Sequence, residues 1–330
     1  MSTVENVSDL LRADQAEQIH SMLEREDAIE TVFQPIVDLR TGSVAGFEAL
    51  SRFQAQPPRP PDAWFEIAHR CGLGPRLEAE AIRCALRRGA DRPAGTYLSV
   101  NVSPSGLVSE EVQDVLPRDL SDLVIEITEN ELVNERREVP NALARARERG
   151  ARIACDDAGA GYAGLRQLMR LRPDVIKLDR TLVDGIHTDL AKNALVDSMV
   201  RYARNLGAAV CAEGIETLAD LRALADLDVT YGQGYGLARP GPPWPTVSLE
   251  ATAVCSAAFG AVISNEVAGV DRSRDGDYRL EQIARRLFEA DRLADLNDVM
   301  GLIAVELRAD EVACQLLDRE RSSLETVAAH

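Results

Sequence analysis

Carboxylates, amides and one ammonium group stand at the ends of short apolar runs along this chain. In order they are Glu48, Asn101, Glu126, the pair Asp156-Asp157, Lys177, Glu213 and Gln233. Oxygen donors without His or Cys among them suit a hard divalent cation, Mg2+ or Mn2+, and not a structural zinc. Taken one at a time these residues have plain explanations. A strand-end glutamate is usually solvated, a lone lysine is commonly at the surface, and an Asp-Asp pair commonly caps a helix. Their recurrence is less ordinary. Apolar run, polar donor, then helical pattern is the order that lets each strand of a β/α barrel deliver one group to a common centre at its carboxyl end.

The elements that must position these groups can be traced from the amino end. Apolar residues at helical spacing (Leu10, Leu11, Ile19, Met22, Leu23) predict a leading helix over 7–26. Two strands over 30–39 and 43–53, joined by the turn Arg40-Thr41-Gly42, form a hairpin signal. Helical patterns follow at 62–71 and 75–88, after a proline-rich loop over 56–61. Strands then alternate with helices: strands at 97–102, 123–128, 152–155, 175–178, 208–212 and near Tyr231, with helices near Ser109 and at 135–149, 165–171, 190–205 and 218–227. Such alternation calls for a parallel sheet, closed or open. Donors at nearly every strand end favour closure, because an open sheet gathers its chemistry at one switch point. The expected fold is therefore a TIM-like (β/α)8 barrel whose first strand, coming from a hairpin, runs antiparallel to the rest.

Composition narrows the function classes. A chain of 330 residues, 45% hydrophobic, can bury a full core. Its formal net charge of -17 argues against tracking along a nucleic-acid polymer, which rests on a surplus of Lys and Arg. A small anionic nucleotide held through metal ions remains compatible with that charge. The six cysteines are scattered, with no close CxxC pair, as in a reduced cytosolic protein. The first residues lack the apolar core of a signal peptide, and the apolar stretch over 251–264 is too short to span a bilayer, so no membrane association and a cytoplasmic location are expected. Prolines over 240–245 close the barrel region. Beyond a polar linker at 270–278, amphipathic patterns predict helices over 280–290 and 296–307, then strands over 311–317 and 324–328.

The order and spacing of Glu48-Ala49-Leu50, Asn101-Val102-Ser103, Glu126-Ile127-Thr128-Glu129, Asp156-Asp157, Lys177-Leu178-Asp179, Glu213-Gly214-Ile215-Glu216 and Gln233-Gly234 resemble the EAL-domain family of cyclic-di-GMP phosphodiesterases, over about residues 28–245. The resemblance implies a domain plan of an N-terminal helix (1–27), the barrel (28–250) and a C-terminal helical extension (251–330) that loosely resembles the start of a GAF domain. It also implies two ions. Glu48, Asn101, Glu126 and Asp156 would hold one, and Asp157 and Glu213 the other, with Asp156 bridging. Two cations about 3.5–4 Å apart suit an in-line displacement at phosphorus, so the implied reaction is hydrolysis of cyclic-di-GMP to linear pGpG. Glu48, Lys177 and Glu213 would be the catalytic groups, with Lys177 orienting the attacking water. Gln34 and Arg52 would contact the substrate, Gln233 would lie at the metal-water cluster, and a homodimer is implied.

Neighbouring aspartates on a regular strand point to opposite faces, so the loop after Asp157 has to turn the second one inward. That loop reads Ala158-Gly159-Ala160-Gly161, where the family has Phe and Thr in place of the two alanines. Glu129, which resembles the glutamate that steadies the loop, is retained, and Gly159 and Gly161 belong to the same support. Loss of an apolar anchor and a hydroxyl predicts a looser loop and a weaker second ion. Two further readings follow from this departure: a cyclic-di-GMP receptor that has lost turnover, and a barrel that serves as a dimerisation scaffold.

Overall fold

The computed structural model describes residues 3–25, 27–128, 138–158, 168, 171–268, 313–318 and 323–329. Its chain divides into two compact units, 1–255 and 256–330. In the first, eight strands close into a barrel: β1 (Ile29–Asp38), β2 (Val44–Phe53), β3 (Tyr97–Asn101), β4 (Leu123–Thr128), β5 (Arg152–Ala158), β6 (Val175–Leu178), β7 (Ala209–Ala212) and β8 (Tyr231–Gly232). β1 is antiparallel to both of its neighbours, β2 and β8, and every other pairing is parallel. The hairpin that begins the barrel imposes this irregularity, since the short connection over 39–43 can only join antiparallel strands.

Helices cover the outside. α1 (Thr3–Leu23), α2 (Pro61–Arg70) and α3 (Gly74–Arg88) share an apolar cluster built on Ile19, Met22, Trp64, Ile67 and Leu77. Ser103 caps the short α4 (Pro104–Leu107), and Ser109 caps α5 (Glu110–Val115); each hydroxyl accepts a backbone N–H three residues on. The two caps split what the sequence reads as one helix near Ser109. α6 (Val139–Glu148), α7 (Arg180–Val183), α8 (Leu190–Leu206) and α9 (Leu218–Asp226) follow their strands. Gly207, left-handed at φ 71°, ends α8. α10 (Leu249–Ala268) takes up the apolar stretch over 251–264, and Ala251 and Cys255 on it are buried. Among the described residues no helix is long and apolar enough to cross a membrane.

Side-chain alternation sorts the barrel interior into layers. Ile36, Tyr97, Val124, Ala154, Val175 and Cys211 pack together inside, with Tyr231 against them. Gly46, opposite Ile36 in register, makes room for this layer: a Cβ there would lie 2.6 Å from the Tyr97 ring. Two residues nearer the carboxyl end of the barrel stand Glu48, Ser99, Glu126, Asp156, Lys177, Glu213 and Gln233, the last two just past β7 and β8, with Gln34 two residues before Ile36 on the antiparallel β1. An apolar floor therefore carries a polar layer above it.

In the second unit, β9 (Ala313–Asp318) and β10 (Ser323–Ala329) form an antiparallel pair, at the two positions where the sequence predicts strands. The helices expected over 280–290 and 296–307, and with them the GAF-like likeness, lie outside the described residues. So does most of the helix expected over 165–171.

Candidate metal centre

Lys177 occupies the middle of the polar layer, with its ammonium almost wholly buried. Its Nζ lies 2.5 Å from Glu126 Oε2, 2.5 Å from Glu213 Oε1, 3.2 Å from Asp156 Oδ1 and 3.8 Å from Glu48 Oε2. Burial opposes a charge there, but the surrounding Glu126, Glu213, Glu48 and Asp156 outweigh it and hold the ammonium well above the ordinary lysine range. The carboxylates are pushed the other way. Burial first, then Glu48, raises Glu126 well above the usual carboxylate value in spite of Lys177, and burial pushes Glu213 up to about 8. One cation among several buried carboxylates is too little positive charge for all of them to ionise easily.

The remaining donors hold the carboxylates in place. Asn101 Nδ2 donates to Glu48 Oε1 at 2.8 Å, and Gln233 Nε2 donates to Glu48 Oε2 at 2.6 Å. Gln233 also donates to Gln34 Oε1 at 2.9 Å, and Gln34 in turn donates to the Ala238 carbonyl at 3.2 Å. Ser99, fully buried two residues before Asn101, donates to Glu126 Oε1 at 2.5 Å. Sequence reasoning missed Ser99. The alternation on β3 would have found it, because residues two apart on a strand share a face.

The structure thus brings together Gln34, Glu48, Asn101, Glu126, Asp156, Lys177, Glu213 and Gln233. It leaves Arg52 apart: that guanidinium donates to the Ser51 carbonyl at 2.9 Å, though Arg52 lines the same cavity. Asp157 lies on β5 where the pairing with β6 slips between Cys155 and Ala158, an irregularity of backbone at the Asp-Asp pair. Its side chain is outside the described set, as are Glu129, Gly159 and Gly161.

A hard cation fits these groups. Asp156 Oδ1, Glu213 Oε1 and Gln233 Oε1 are buried without a hydrogen-bond donor in acceptable geometry, even though Lys177 stands at ion-pair distance from the first two. Among the described residues no three His, Cys, Asp or Glu side chains are spaced to grip one ion as they stand, and four carboxylates face the Lys177 ammonium. Above the cluster opens a cavity of about 750 Å³, lined by Gln34, Glu48, Arg52, Asn101, Glu126 and Asp156 among others. Its volume suits a nucleotide-sized ligand.

The family model described as the EAL domain matches residues 16–240. The chain belongs to the EAL domain family. A protein of Mycobacterium tuberculosis is 34% identical to this EAL chain over 231 residues, which are 66% of this chain and 37% of that one. The probable cyclic di-GMP phosphodiesterase PdeN of Escherichia coli is 30% identical over 238 residues, 68% of this chain and 46% of PdeN. Among solved structures, the calcium and cyclic di-GMP complex of Klebsiella pneumoniae BlrP1 superposes with a TM-score of 0.59 at 30% identity, covering 67% of this chain and 58% of that one. This EAL chain therefore spans less than half the length of these two curated relatives.

Proposed function

We propose that this chain hydrolyses cyclic di-GMP to linear pGpG with two Mg2+ or Mn2+ ions at the carboxyl end of the barrel. The observation that carries the reading is the convergence of Glu48, Glu126, Asp156 and Glu213, from four different strands, within 3.8 Å of one buried ammonium. A scaffold has no use for so costly an arrangement, since buried charge is stable only when paired and hydrogen-bonded. Glu48, Asn101, Glu126 and Asp156 would hold one ion, and Asp157 and Glu213 the other. When bound, the ions supply the positive charge that an in-line displacement at phosphorus requires.

The chain's own residues do the remaining work. Asn101 and Gln233 hold both oxygens of Glu48, and Ser99 and Lys177 hold both oxygens of Glu126, so these carboxylates are kept at the barrel mouth, where the ions would be taken up. Lys177 keeps its proton and offers a donor at the point where the attacking water must be oriented. Gln34 and Arg52, on the cavity wall, would contact the base and phosphate of the nucleotide. The wider reading is of a homodimer in the cytoplasm, in keeping with the five free cysteines among the described residues.

Incubating the protein with cyclic di-GMP and Mg2+ or Mn2+ and separating products by chromatography tests the reading. Linear pGpG that requires the metal is the expected result. Binding of the nucleotide with no product under either metal would leave a receptor in place of an enzyme.

A further inference from the structure

A further buried carboxylate lies outside the cluster, on the wall of the same cavity. Glu78, on α3, is 5% exposed, and its Oε1 stands 2.7 Å from Nε2 of His69 on α2. Its other oxygen accepts the backbone N–H of Ser103 at 3.0 Å. Ser103 is the second residue after Asn101. The residue between them, Val102, donates its own N–H to the Glu126 carbonyl at 3.0 Å. Both peptide groups that follow Asn101 are therefore tied, one to the neighbouring strand and one to a helix side chain outside the barrel.

The hydroxyl cap of α4 does not need this carboxylate, which takes the N-cap backbone N–H from outside the helix. Ser103 already caps that helix with its own hydroxyl, which accepts the Gly106 N–H at 2.9 Å. Two glycines leave room for the His69-Glu78 pair. A Cβ at Gly106 would lie 2.0 Å from Glu78 Oε2, and one at Gly74 would lie 2.3 Å from His69 Nδ1. Burying a carboxylate costs free energy unless its oxygens are satisfied, and here both have partners.

We infer that Glu78, steadied by His69, is a positioning residue for Asn101. It fixes the backbone where β3 ends, so that the Asn101 carboxamide stays on Glu48 and its oxygen is presented to the first ion. Outer partners of this kind typically change metal affinity about 10- to 100-fold. The consequence for metal rests on the two-ion reading; the ordering of the β3 exit does not.

The test uses the full chain and the variants Glu78→Leu, Glu78→Gln and Gly106→Ala. Three quantities are measured: Mn2+ binding without nucleotide, by electron paramagnetic resonance; amide hydrogen exchange over 102–107 in metal-free protein; and kcat and KM for cyclic di-GMP. Glu78→Leu should weaken Mn2+ binding about 10- to 100-fold, speed exchange at Ser103 and lower kcat at limiting metal with KM unchanged. Glu78→Gln keeps an acceptor for the Ser103 N–H and should bind Mn2+ as the wild type does. Gly106→Ala, by pushing the carboxylate aside, should reproduce the Glu78→Leu defects and stands in for it if that variant does not fold. Unchanged Mn2+ affinity and exchange in folded Glu78→Leu or Gly106→Ala would overturn the inference. So would a raised KM with metal affinity intact, which would make Glu78 a nucleotide contact. A wild-type protein that binds no Mn2+ would overturn the functional reading instead, and the exchange measurement would still decide the positioning.

Discussion

The floor of the barrel interior and the layer two residues above it are built by the same strands with the same alternation, yet they do opposite things. Ile36, Tyr97, Val124, Ala154, Val175 and Cys211 fill space, and their contribution is burial. Gln34, Glu48, Ser99, Glu126, Lys177 and Gln233 are buried as well, yet this layer, with Asp156 and Glu213, crowds four carboxylates around a single ammonium. Stability and chemistry are separated by two residues, about one pleat of strand. The floor holds the strands at the spacing that makes the upper layer converge. The upper layer in turn retains an electrostatic imbalance that burial alone would not favour.

That division can be broken first from above. Glu48→Ala or Asp156→Asn should remove turnover of cyclic di-GMP by more than about 100-fold, beyond what outer partners usually contribute, while leaving the melting transition cooperative. Turnover at the wild-type rate in a folded variant would refute the assignment. Lys177→Met should lose turnover yet still bind the nucleotide in calorimetry, since in the proposed reaction the lysine acts on water and not on the bases. It should also lower the stability of metal-free protein by about 3–5 kcal/mol, because carboxylates are left buried without their cation. Added Mn2+ should narrow that gap.

From below, Ile36→Ala should cost about 2–5 kcal/mol in denaturant melts with turnover per folded molecule retained. Lost turnover at full folding would show that the layers are not separable. The smallest effect belongs to a polar network away from the barrel interior. Burial works against the Asp220 carboxylate, but hydrogen bonds from the His187 ring at 2.7 Å, from the Thr217 hydroxyl at 2.7 Å and from the His187 N–H outweigh it and lower its pKa. A lowered folded pKa contributes stability that is present above the ordinary carboxylate range and is lost as pH falls through the folded value. Asp220→Asn should therefore lose up to about 1.5–3 kcal/mol near neutral pH. The gap to wild type should close in acid, and a gap independent of pH in urea melts would exclude the charged hydrogen bonds as its source.

How far the site could be read from sequence depends on the range of the signal. Strand, donor and helix recur along the chain with local periodicity, so the barrel, its antiparallel first strand and seven of the clustered groups (Glu48, Asn101, Glu126, Asp156, Lys177, Glu213 and Gln233) could be proposed from spacing. Gln34 came from resemblance alone, and its hydrogen bond to Gln233, 199 residues away, is a product of closure. Ser99 was legible in principle, two residues before Asn101 on one strand.

Sequence by itself determined the alternation, since the side-chain period of a strand is a local property that no packing can change. It determined the hairpin too, because Arg40-Thr41-Gly42 leaves no length for a crossover. Tertiary structure alone decided that the Lys177 ammonium stands among four carboxylates and not beside one. It also decided that Arg52 turns to its neighbour's carbonyl, and that Glu78 on an outer helix reaches the peptide after Asn101. These depend on which strands become neighbours when the barrel closes and on where each helix lies against it. Hydrogen bonds act only at contact and charge interactions weaken with distance, so both are set by distances between residues far apart in the chain, which local spacing does not encode.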